Sequence, residues 1–401
     1  PNWINRDRFI LSAGHGSMLL YSLLYLTGYK SITLDDIKNF RQLNSICAGH
    51  PEYKKGTGIE TTTGPLGQGL GNAVGMAIAE EIYRKKFGSK VINNKTYVIA
   101  SDGDLMEGIS HEAMSLAGHL KLKNLIVFFD NNKISIDGAT SLSVSDNYKK
   151  RFESYNWNYT EINGHNIKQI SKAISKASKS NKPTIISCKT IIGFGSPNKS
   201  GKASSHGSPL GDDEITLVRK KLKWNNKPFE IPNDILDEWR KIGNKGEQLE
   251  KKWQEDINKK NSKISINLKN IFVDSDLGKL ESLIEKEKTK YFDSKPSLAT
   301  RQCSMASIES ISSILPQLIG GSADLSGSNN TKTSNSKIIN SKNFDGNYIH
   351  YGVREHGTSA IMNGLALYGG IIPYGGTFLI FSDYSKPSIR LSALMGLRVI
   401  Y

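Results

Sequence analysis

Two short apolar runs, at residues 97–100 and 125–129, most strongly constrain how this chain folds. Neither run alternates apolar with polar side chains, and a third, largely apolar run follows at residues 184–187. Runs of this kind are typical of strands buried on both faces of a parallel sheet. Helical patterns accompany them, at residues 18–26, 70–87, 109–120 and 167–179. The sequence therefore predicts a doubly wound α/β fold.

A change of composition divides the chain into three predicted regions. Residues 212–296 are rich in charged side chains, and the α/β pattern resumes at residue 297. We predict one α/β domain over residues 1–211, a charged helical linker, and a second α/β domain over residues 297–401. The first residue is proline rather than methionine, so we expect the chain to begin inside a longer reading frame. We also expect the second sheet to be incomplete.

The 401-residue chain has a net charge of +15, from 53 basic and 38 acidic side chains. This balance would suit a polyanionic partner, but the Lys- and Asn-rich composition of an AT-rich genome would produce it as well. The lysines are dispersed without an aromatic platform, and no apolar run reaches the roughly 18 residues that span a bilayer. We therefore predict no nucleic-acid or membrane partner. Three widely spaced cysteines indicate a reducing, cytoplasmic environment without disulfides.

Polar residues follow the first two apolar runs at the point where each ends. Asp102 comes after one run and Asn132 after the other, about one βαβ unit apart. Because the carboxyl ends of parallel strands meet at one edge of a sheet, we expect these side chains to lie close together. Carboxylate, amide and main-chain oxygens suit a hard cation such as Mg²⁺ or Ca²⁺. Two ordinary polar turns would give the same pattern, whereas an EF-hand is excluded because its later ligands are missing.

A glycine-rich stretch at residues 64–69 precedes the longest helical pattern. Small residues at a helix N-terminus let backbone N–H groups approach an anion. A glycine-rich helix entry without a ligand would look the same. A dinucleotide-binding fingerprint is excluded, because Val74 stands at the third glycine position and no clear strand precedes the stretch.

Three histidines, His15, His50 and His206, each adjoin a glycine. Histidines on turns suit proton transfer and contacts with an oxyanion near neutral pH. Ordinary surface turns also place histidine beside glycine, so the pattern leaves both interpretations open.

Glu355 is placed between a predicted strand and a predicted helix, with Phe378, Phe381 and Tyr384 downstream. A buried glutamate beside an aromatic wall keeps its proton more readily and could share it with a ring nitrogen. The alternatives are a helix N-terminal acid favoured by the helix dipole, and aromatic residues that pack in the core.

Four longer motifs run through the chain in order. They are Thr-Thr-Gly-Pro-Leu-Gly-Gln-Gly at 62–69, Ile-Ile-Gly-Phe-Gly-Ser at 191–196, Gly-Ser-Ala-Asp-Leu at 321–325 and Tyr-Gly-Val-Arg-Glu-His at 351–356. Together with the segment from Asp102 to Asn132, they resemble transketolase, a thiamine diphosphate enzyme whose cofactor motif runs from Gly-Asp-Gly to Asn. The resemblance implies a diphosphate-binding domain, a linker and the start of a pyrimidine-binding domain.

The resemblance also implies a cofactor site. Asp102, Asn132 and the carbonyl of Ile134 would hold Mg²⁺ or Ca²⁺ on the diphosphate. Glu355 would hydrogen-bond a ring nitrogen of the aminopyrimidine, and Phe381 would stack on that ring. The other implied cofactor contacts are His15, Gly64, Pro65, Leu66, Gly103, Ile192, His206, Asp324, Phe378 and Tyr384.

Sugar phosphates are the implied substrates. His50 would face the C1 hydroxyl, His206 would contact cofactor and substrate, and both would be catalytic together with Glu355. Arg301 and Ser328 would bind the sugar phosphate group. The implied reaction transfers a two-carbon ketol unit from a ketose phosphate to an aldose phosphate through a cofactor carbanion, as in the pentose phosphate pathway. Active sites of the family form between the two subunits of a homodimer.

The sequence departs from the family pattern at Ser101, where the motif has glycine, and at Ala203, where a second histidine is common. We also expect the family's upstream Ser-Gly-His segment, the rest of its pyrimidine domain and its C-terminal domain to be missing. Two alternatives therefore stay open. One is a truncated, inactive transketolase-like binding protein, and the other is a different thiamine diphosphate enzyme such as deoxyxylulose-phosphate synthase. Arg301, Ser328 and residues 191–196 favour transketolase.

Overall fold

The computed structural model describes residues 2–260 and 277–401. Residues 261–276, which belong to the predicted linker, lie outside the described residues. The described residues form two compact units. The first unit comprises the chain up to Ala73 together with Asn94–Lys252, and the second comprises Val74–Asn93 and the described residues after Lys252. The domain boundaries drawn from composition stay a prediction.

A parallel five-stranded sheet in the order β1-β2-β3-β5-β4 forms the centre of the first unit. Its strands are β1 (Arg8–Leu11), β2 (Thr96–Ser101), β3 (Leu125–Asn131), β4 (Asn158–Asn163) and β5 (Thr184–Lys189). The three apolar runs became β2, β3 and β5, which are adjacent and largely buried, so the parallel α/β prediction is confirmed. The two edge strands, β1 and β4, were not predicted. β4 has no apolar run, because its side chains are mostly exposed or half-buried.

The first unit also contains α-helices. They are α1 (Ser17–Thr27), α2 (Leu34–Lys38), α3 (Gln68–Phe87), α4 (Asp102–Met106), α5 (Gly108–His119), α6 (Tyr148–Ser154), α7 (Ile167–Ala177), α8 (Asp212–Lys221) and α9 (Asn233–Lys260). Of these helices, α3 from Val74 and α9 from Trp253 belong to the second unit. Buried side chains of α1, among them Leu20, Tyr21 and Leu24, pack against Ile32 and Ile59 in one core cluster. The predicted helices at 18–26, 70–87, 109–120 and 167–179 are confirmed within a few residues.

The second unit contains a three-stranded parallel sheet in the order β7-β6-β8. Its strands are β6 (Leu318–Ser322), β7 (Tyr348–His350) and β8 (Ile372–Pro373), and its helices are α10 (Leu277–Ser294), α11 (Thr300–Ser312), α12 (Ser326–Asn329), α13 (Glu355–Tyr368) and α14 (Ser382–Leu394). The part of α3 that belongs to this unit packs closely on α13. A Cβ atom at Gly75 would lie 2.1 Å from the Ile361 carbonyl oxygen, so only glycine permits this approach.

Where the structure describes it, the charged segment predicted as a linker contains the helices α8, α9 and α10, which expose most of their side chains, and residues 222–232 between α8 and α9 are not helical. In the ranges 2–260 and 277–401, no helix has both the length and the apolar character needed to cross a membrane.

Candidate functional site

The carboxyl ends of β2 and β3 bring the predicted cation residues to one edge of the first sheet. The two strands are parallel neighbours in which Ser101 pairs with Asp130. Asp102 begins α4 directly after β2, and Asn132 follows the last residue of β3. The expected adjacency of the two strands is therefore confirmed. The acidic turn predicted after β2 is in fact the first turn of a short helix.

Asp102 is buried with one unused oxygen. The side chain is 3% exposed, and Oδ2 has no hydrogen-bond partner in the part of the chain that the structure describes. Burial and then the charge of Asp130 raise the pKa of Asp102 to about 6, against the opposing effect of the backbone N–H of Lys133. An unpaired buried carboxylate oxygen is costly, and a bound cation would compensate it.

The loop after β3 contains the other two predicted cation ligands. The backbone N–H of Ile134 donates to Asn132 Oδ1 at 2.9 Å, and Asn132 Nδ2 donates to Asp130 Oδ2 at 3.2 Å. An amide oxygen has two lone pairs, so Asn132 can accept this bond and still coordinate a cation. Among the described residues, no three His, Cys, Asp or Glu side chains gather as a metal site. A cation here would therefore depend on amide and carbonyl oxygens besides Asp102, and these hard donors fit Mg²⁺ or Ca²⁺.

Asp104, which is not among the residues predicted from the sequence, holds this edge of the sheet together. Its carboxylate accepts hydrogen bonds from Ser12 Oγ at 2.6 Å, the Gly67 N–H at 2.8 Å and the Ser101 N–H at 2.9 Å. These donors follow β1, lie in the glycine-rich stretch and end β2, respectively. Ser101, the departure from the family motif, is the N-cap of α4 and forms a capping box with Asp104. That Ser-x-x-Asp spacing is the signal that could have identified Asp104.

We expect Asp104→Ala to destabilise the protein by about 3 kcal/mol, at roughly 1–3 kcal/mol for each buried donor left unpaired. Chemical denaturation of the full-length protein measures this difference. Asp35→Ala is the matched control, because Asp35 lies exposed in α2 and its removal should change stability by no more than about 0.5 kcal/mol. Equal midpoints for the two variants would contradict the structural role of Asp104.

The three predicted histidines lie near one another in the first unit. The rings of His15 and His206 stack with centroids 4.8 Å apart and planes 22° apart. Burial, then the nearby His206 and His50, lower the pKa of His15, while Asp104 and Asp130 oppose this shift. His15 is therefore mainly neutral near pH 7, and its ring can accept or donate a hydrogen bond to a ligand.

The glycine-rich stretch lies against both the histidines and α4. Gly64 has a φ of 131°, which favours glycine, and a Cβ atom there would lie 3.1 Å from His50 Cγ. A Cβ atom at Gly103 would lie 2.7 Å from Leu66 Cδ1. Pro65, between Gly64 and Leu66 in the chain, is exposed. The backbone of this stretch therefore lies close to the end of β2, as a binding loop for an anion requires.

Residues 191–196 are held by a histidine that the sequence interpretation missed. The Ile191 N–H donates to His165 Nε2 at 3.1 Å, and the His165 ring stacks on Phe194 with centroids 4.2 Å apart. His165 thus orients the loop that contains Ile192, which is half-buried. His165 follows Gly164, so the signal that selected the other histidines, an adjacent glycine, was present here too.

In the second unit, Glu355 is the first residue of α13 and follows β7 by a few residues, as predicted. Its side chain is half-buried, and its carbonyl oxygen accepts a hydrogen bond from Ser385 Oγ at 3.0 Å. The helix N-terminus favours a negative charge at this position. Within this unit, Ser385 of α14 thereby fixes the backbone on which Glu355 stands.

The aromatic residues downstream of Glu355 form an exposed row. The rings of Phe378 and Phe381 stack 5.9 Å apart, and the rings of Phe381 and Tyr384 are 6.1 Å apart. Tyr384 is 64% exposed and Phe378 is 41% exposed, so these rings do not pack in the core of their unit. They are available to stack on a ligand or to contact another molecule.

The predicted phosphate-binding residues share one groove of the second unit. Arg301 and Ser328 both line this groove, whose volume is about 1090 Å³. Asp324 follows β6 and is exposed, with a φ of 64°. Left-handed backbone is uncommon for residues other than glycine and often marks a functional turn.

Comparisons with known proteins agree with this architecture. Residues 1–276 match the family model described as "Transketolase, thiamine diphosphate binding domain", and residues 296–401 match "Transketolase, pyrimidine binding domain". A transketolase of Sinorhizobium medicae is 49% identical over 403 residues, and one of Buchnera aphidicola subsp. Acyrthosiphon pisum is 52% identical over 410. The crystal structure of transketolase from Campylobacter jejuni superposes with a TM-score of 0.90 at 40% identity.

The parallel-sheet fold and the matched binding domain define a thiamine diphosphate-binding α/β protein. The chain belongs to the transketolase family. Each of these three alignments covers 100% of the chain, but the chain spans only 57% of the Sinorhizobium relative and 61% of the Buchnera and Campylobacter proteins.

Proposed function

We propose that the full-length protein containing this chain transfers a two-carbon ketol unit from a ketose phosphate to an aldose phosphate. The observation that supports this most directly is the buried Asp102 carboxylate, whose free Oδ2 lies at the carboxyl end of β2 in a chain of the transketolase family. Such a group is suited to a cation that neutralises a diphosphate.

The proposed cofactor contacts fall into two groups of residues. Asp102, Asn132 and the carbonyl of Ile134 would hold Mg²⁺ or Ca²⁺ on the diphosphate of thiamine diphosphate. The residues proposed to line the diphosphate and thiazolium portion are His15, Gly64, Pro65, Leu66, Gly103, Ile192 and His206. Those proposed for the aminopyrimidine are Asp324, Glu355, Phe378, Phe381 and Tyr384.

When bound, thiamine diphosphate supplies an electron sink for breaking and forming carbon–carbon bonds. Glu355 would hold a proton at a ring nitrogen of the aminopyrimidine, and this is its proposed catalytic role. His50 and His206 would exchange hydrogen bonds and protons with substrate hydroxyl groups. Arg301 would bind the sugar phosphate with its planar guanidinium, helped by the Ser328 hydroxyl from the same groove.

We also propose that the full-length protein is a homodimer. The exposed aromatic row continues into Leu379 and Ile380, which are 88% and 70% exposed. A contiguous apolar surface of this kind usually marks an interface. Light scattering of the full-length protein tests this, and a monomeric mass at assay concentration would contradict it.

A coupled assay tests the reaction. With a ketose phosphate donor and ribose 5-phosphate as acceptor, we expect turnover by the full-length protein that is lost after dialysis against EDTA. Addition of thiamine diphosphate and Mg²⁺ together, but neither alone, should restore it. Activity independent of both would contradict the proposal, and product formation from pyruvate as donor would indicate a different thiamine diphosphate enzyme.

A further inference from the structure

A polar cavity of about 740 Å³ opens beside the proposed cation site in the first unit. Its walls include Asp102, Lys133, Tyr148, Tyr159 and Lys189. The ammonium group of Lys189 is paired with Glu161 at 2.5 Å. The cavity is large enough for several water molecules, and its polar walls can order them.

Tyr148, the first residue of α6, has a fixed ring and an unused hydroxyl. The ring meets Phe129 edge to face with centroids 4.9 Å apart, and the Arg151 guanidinium carbon lies 4.9 Å from the ring centroid. The hydroxyl is buried and has no hydrogen-bond partner among residues 2–260 and 277–401. A buried hydroxyl held in place without a partner requires an explanation, such as a water or an ion.

The second unused atom of this cavity wall is Oδ2 of Asp102. The Asp102 charge lies close enough to Tyr148 to contribute, after burial, to raising the pKa of Tyr148 to about 12. One donor and one acceptor, both buried and both without a partner, thus line the same cavity. Ordered water in this cavity would satisfy both groups.

We propose that Tyr148 is a positioning residue of the cation site, with its hydroxyl linked through an ordered water to Oδ2 of Asp102. This inference rests on the proposed function, because it assigns to Asp102 its role as a cation ligand. Hydrogen bonds to a ligating carboxylate fix its orientation, and their loss typically costs about 10–100-fold in metal affinity. The Tyr148 ring, clamped by Phe129 and Arg151, holds the donor in a constant position.

Tyr148→Phe tests the link because it removes one oxygen and keeps the ring. Tyr159→Phe is the matched control. Tyr159 lines the same cavity, but its hydroxyl already donates to Glu161 Oε2 at 3.5 Å and is not an unused donor. The probe is Mn²⁺, whose binding to the full-length protein with saturating thiamine diphosphate is followed by electron paramagnetic resonance. We expect the Mn²⁺ dissociation constant to rise about 10-fold in Tyr148→Phe and less than about 2-fold in Tyr159→Phe.

Three outcomes would overturn the inference. Equal Mn²⁺ dissociation constants in the wild-type protein and Tyr148→Phe would remove the link while leaving the proposed function intact. Failure of Tyr148→Phe to fold would show that the hydroxyl stabilises the protein without the metal, which also contradicts a role specific to the cation. Absence of Mn²⁺ and Mg²⁺ binding by the wild-type protein would instead refute the cation site itself.

Discussion

Glu355→Ala is expected to lower turnover of the full-length protein by about 10²–10⁴-fold, the usual contribution of a positioned proton-transfer group. Glu355 is the first residue of α13, and Ser385 Oγ donates a hydrogen bond to its carbonyl oxygen, so the backbone that carries the proposed proton-sharing group is fixed. Steady-state kinetics with saturating cofactor and Mg²⁺ measures the loss. The fold should be unchanged, because the half-buried side chain contributes little to packing.

Asp383→Ala is the control for this prediction. Asp383 lies in the first turn of α14, in the same unit, and is exposed. Both substitutions remove an acid from a helix N-terminus and with it a similar helix-dipole contribution. Near-normal turnover in Glu355→Ala, or an equal loss in Asp383→Ala, would exclude the proposed role of Glu355.

Asp102→Ala is expected to abolish Mg²⁺-dependent binding of thiamine diphosphate. The substitution removes a proposed direct cation ligand, so the affinity loss should exceed the roughly 10–100-fold cost of losing a residue that only hydrogen-bonds a ligand. Isothermal titration calorimetry of the full-length protein, with and without Mg²⁺, measures it.

Asp137→Ala provides the comparison, because Asp137 is an exposed carboxylate in the loop after β3. It should leave both cofactor affinity and its Mg²⁺ dependence unchanged. Unaltered thiamine diphosphate affinity in Asp102→Ala would refute the cation site, whatever the behaviour of the control.

The sheet edge that holds Asp102 was predictable because its cause is local. Strands buried on both faces need uninterrupted apolar runs, so the sequence predicts β2 and β3. Parallel pairing of these strands then places Asp102 and Asn132 at one edge of the sheet. The three adjacent strands β2, β3 and β5 of the first unit followed from the same signal. The exposed edge strand β4 lacked the signal and was missed.

The residues that surround Asp102, Asp104 and Tyr148 among them, could not be predicted from apolar runs. The capping box of Asp104 with Ser101 has a local signal, but its hydrogen bonds with Ser12 and Gly67 join residues that are distant along the chain and leave no periodic pattern. Tyr148 is similar, because its place in the same cavity wall as Asp102 depends on how its ring packs against Phe129 of β3. The aromatic row illustrates a different limit: composition alone could not show whether those rings are buried, and the structure exposes them.

The helix α3 has a consequence for recombination between relatives. Its first residues belong to the first unit, whereas Val74–Asn93 belongs to the second, where Gly75 meets α13 and Tyr83 stacks on Tyr368 with centroids 5.8 Å apart. A chimaera whose parents are joined near residue 211 would take Gly75 and Tyr83 from one parent and α13 from the other. Gene exchange within the family is therefore expected to preserve the pairing of Gly75 with the small residue Gly364, and a crossover that replaces either one with a larger residue should yield an unstable hybrid.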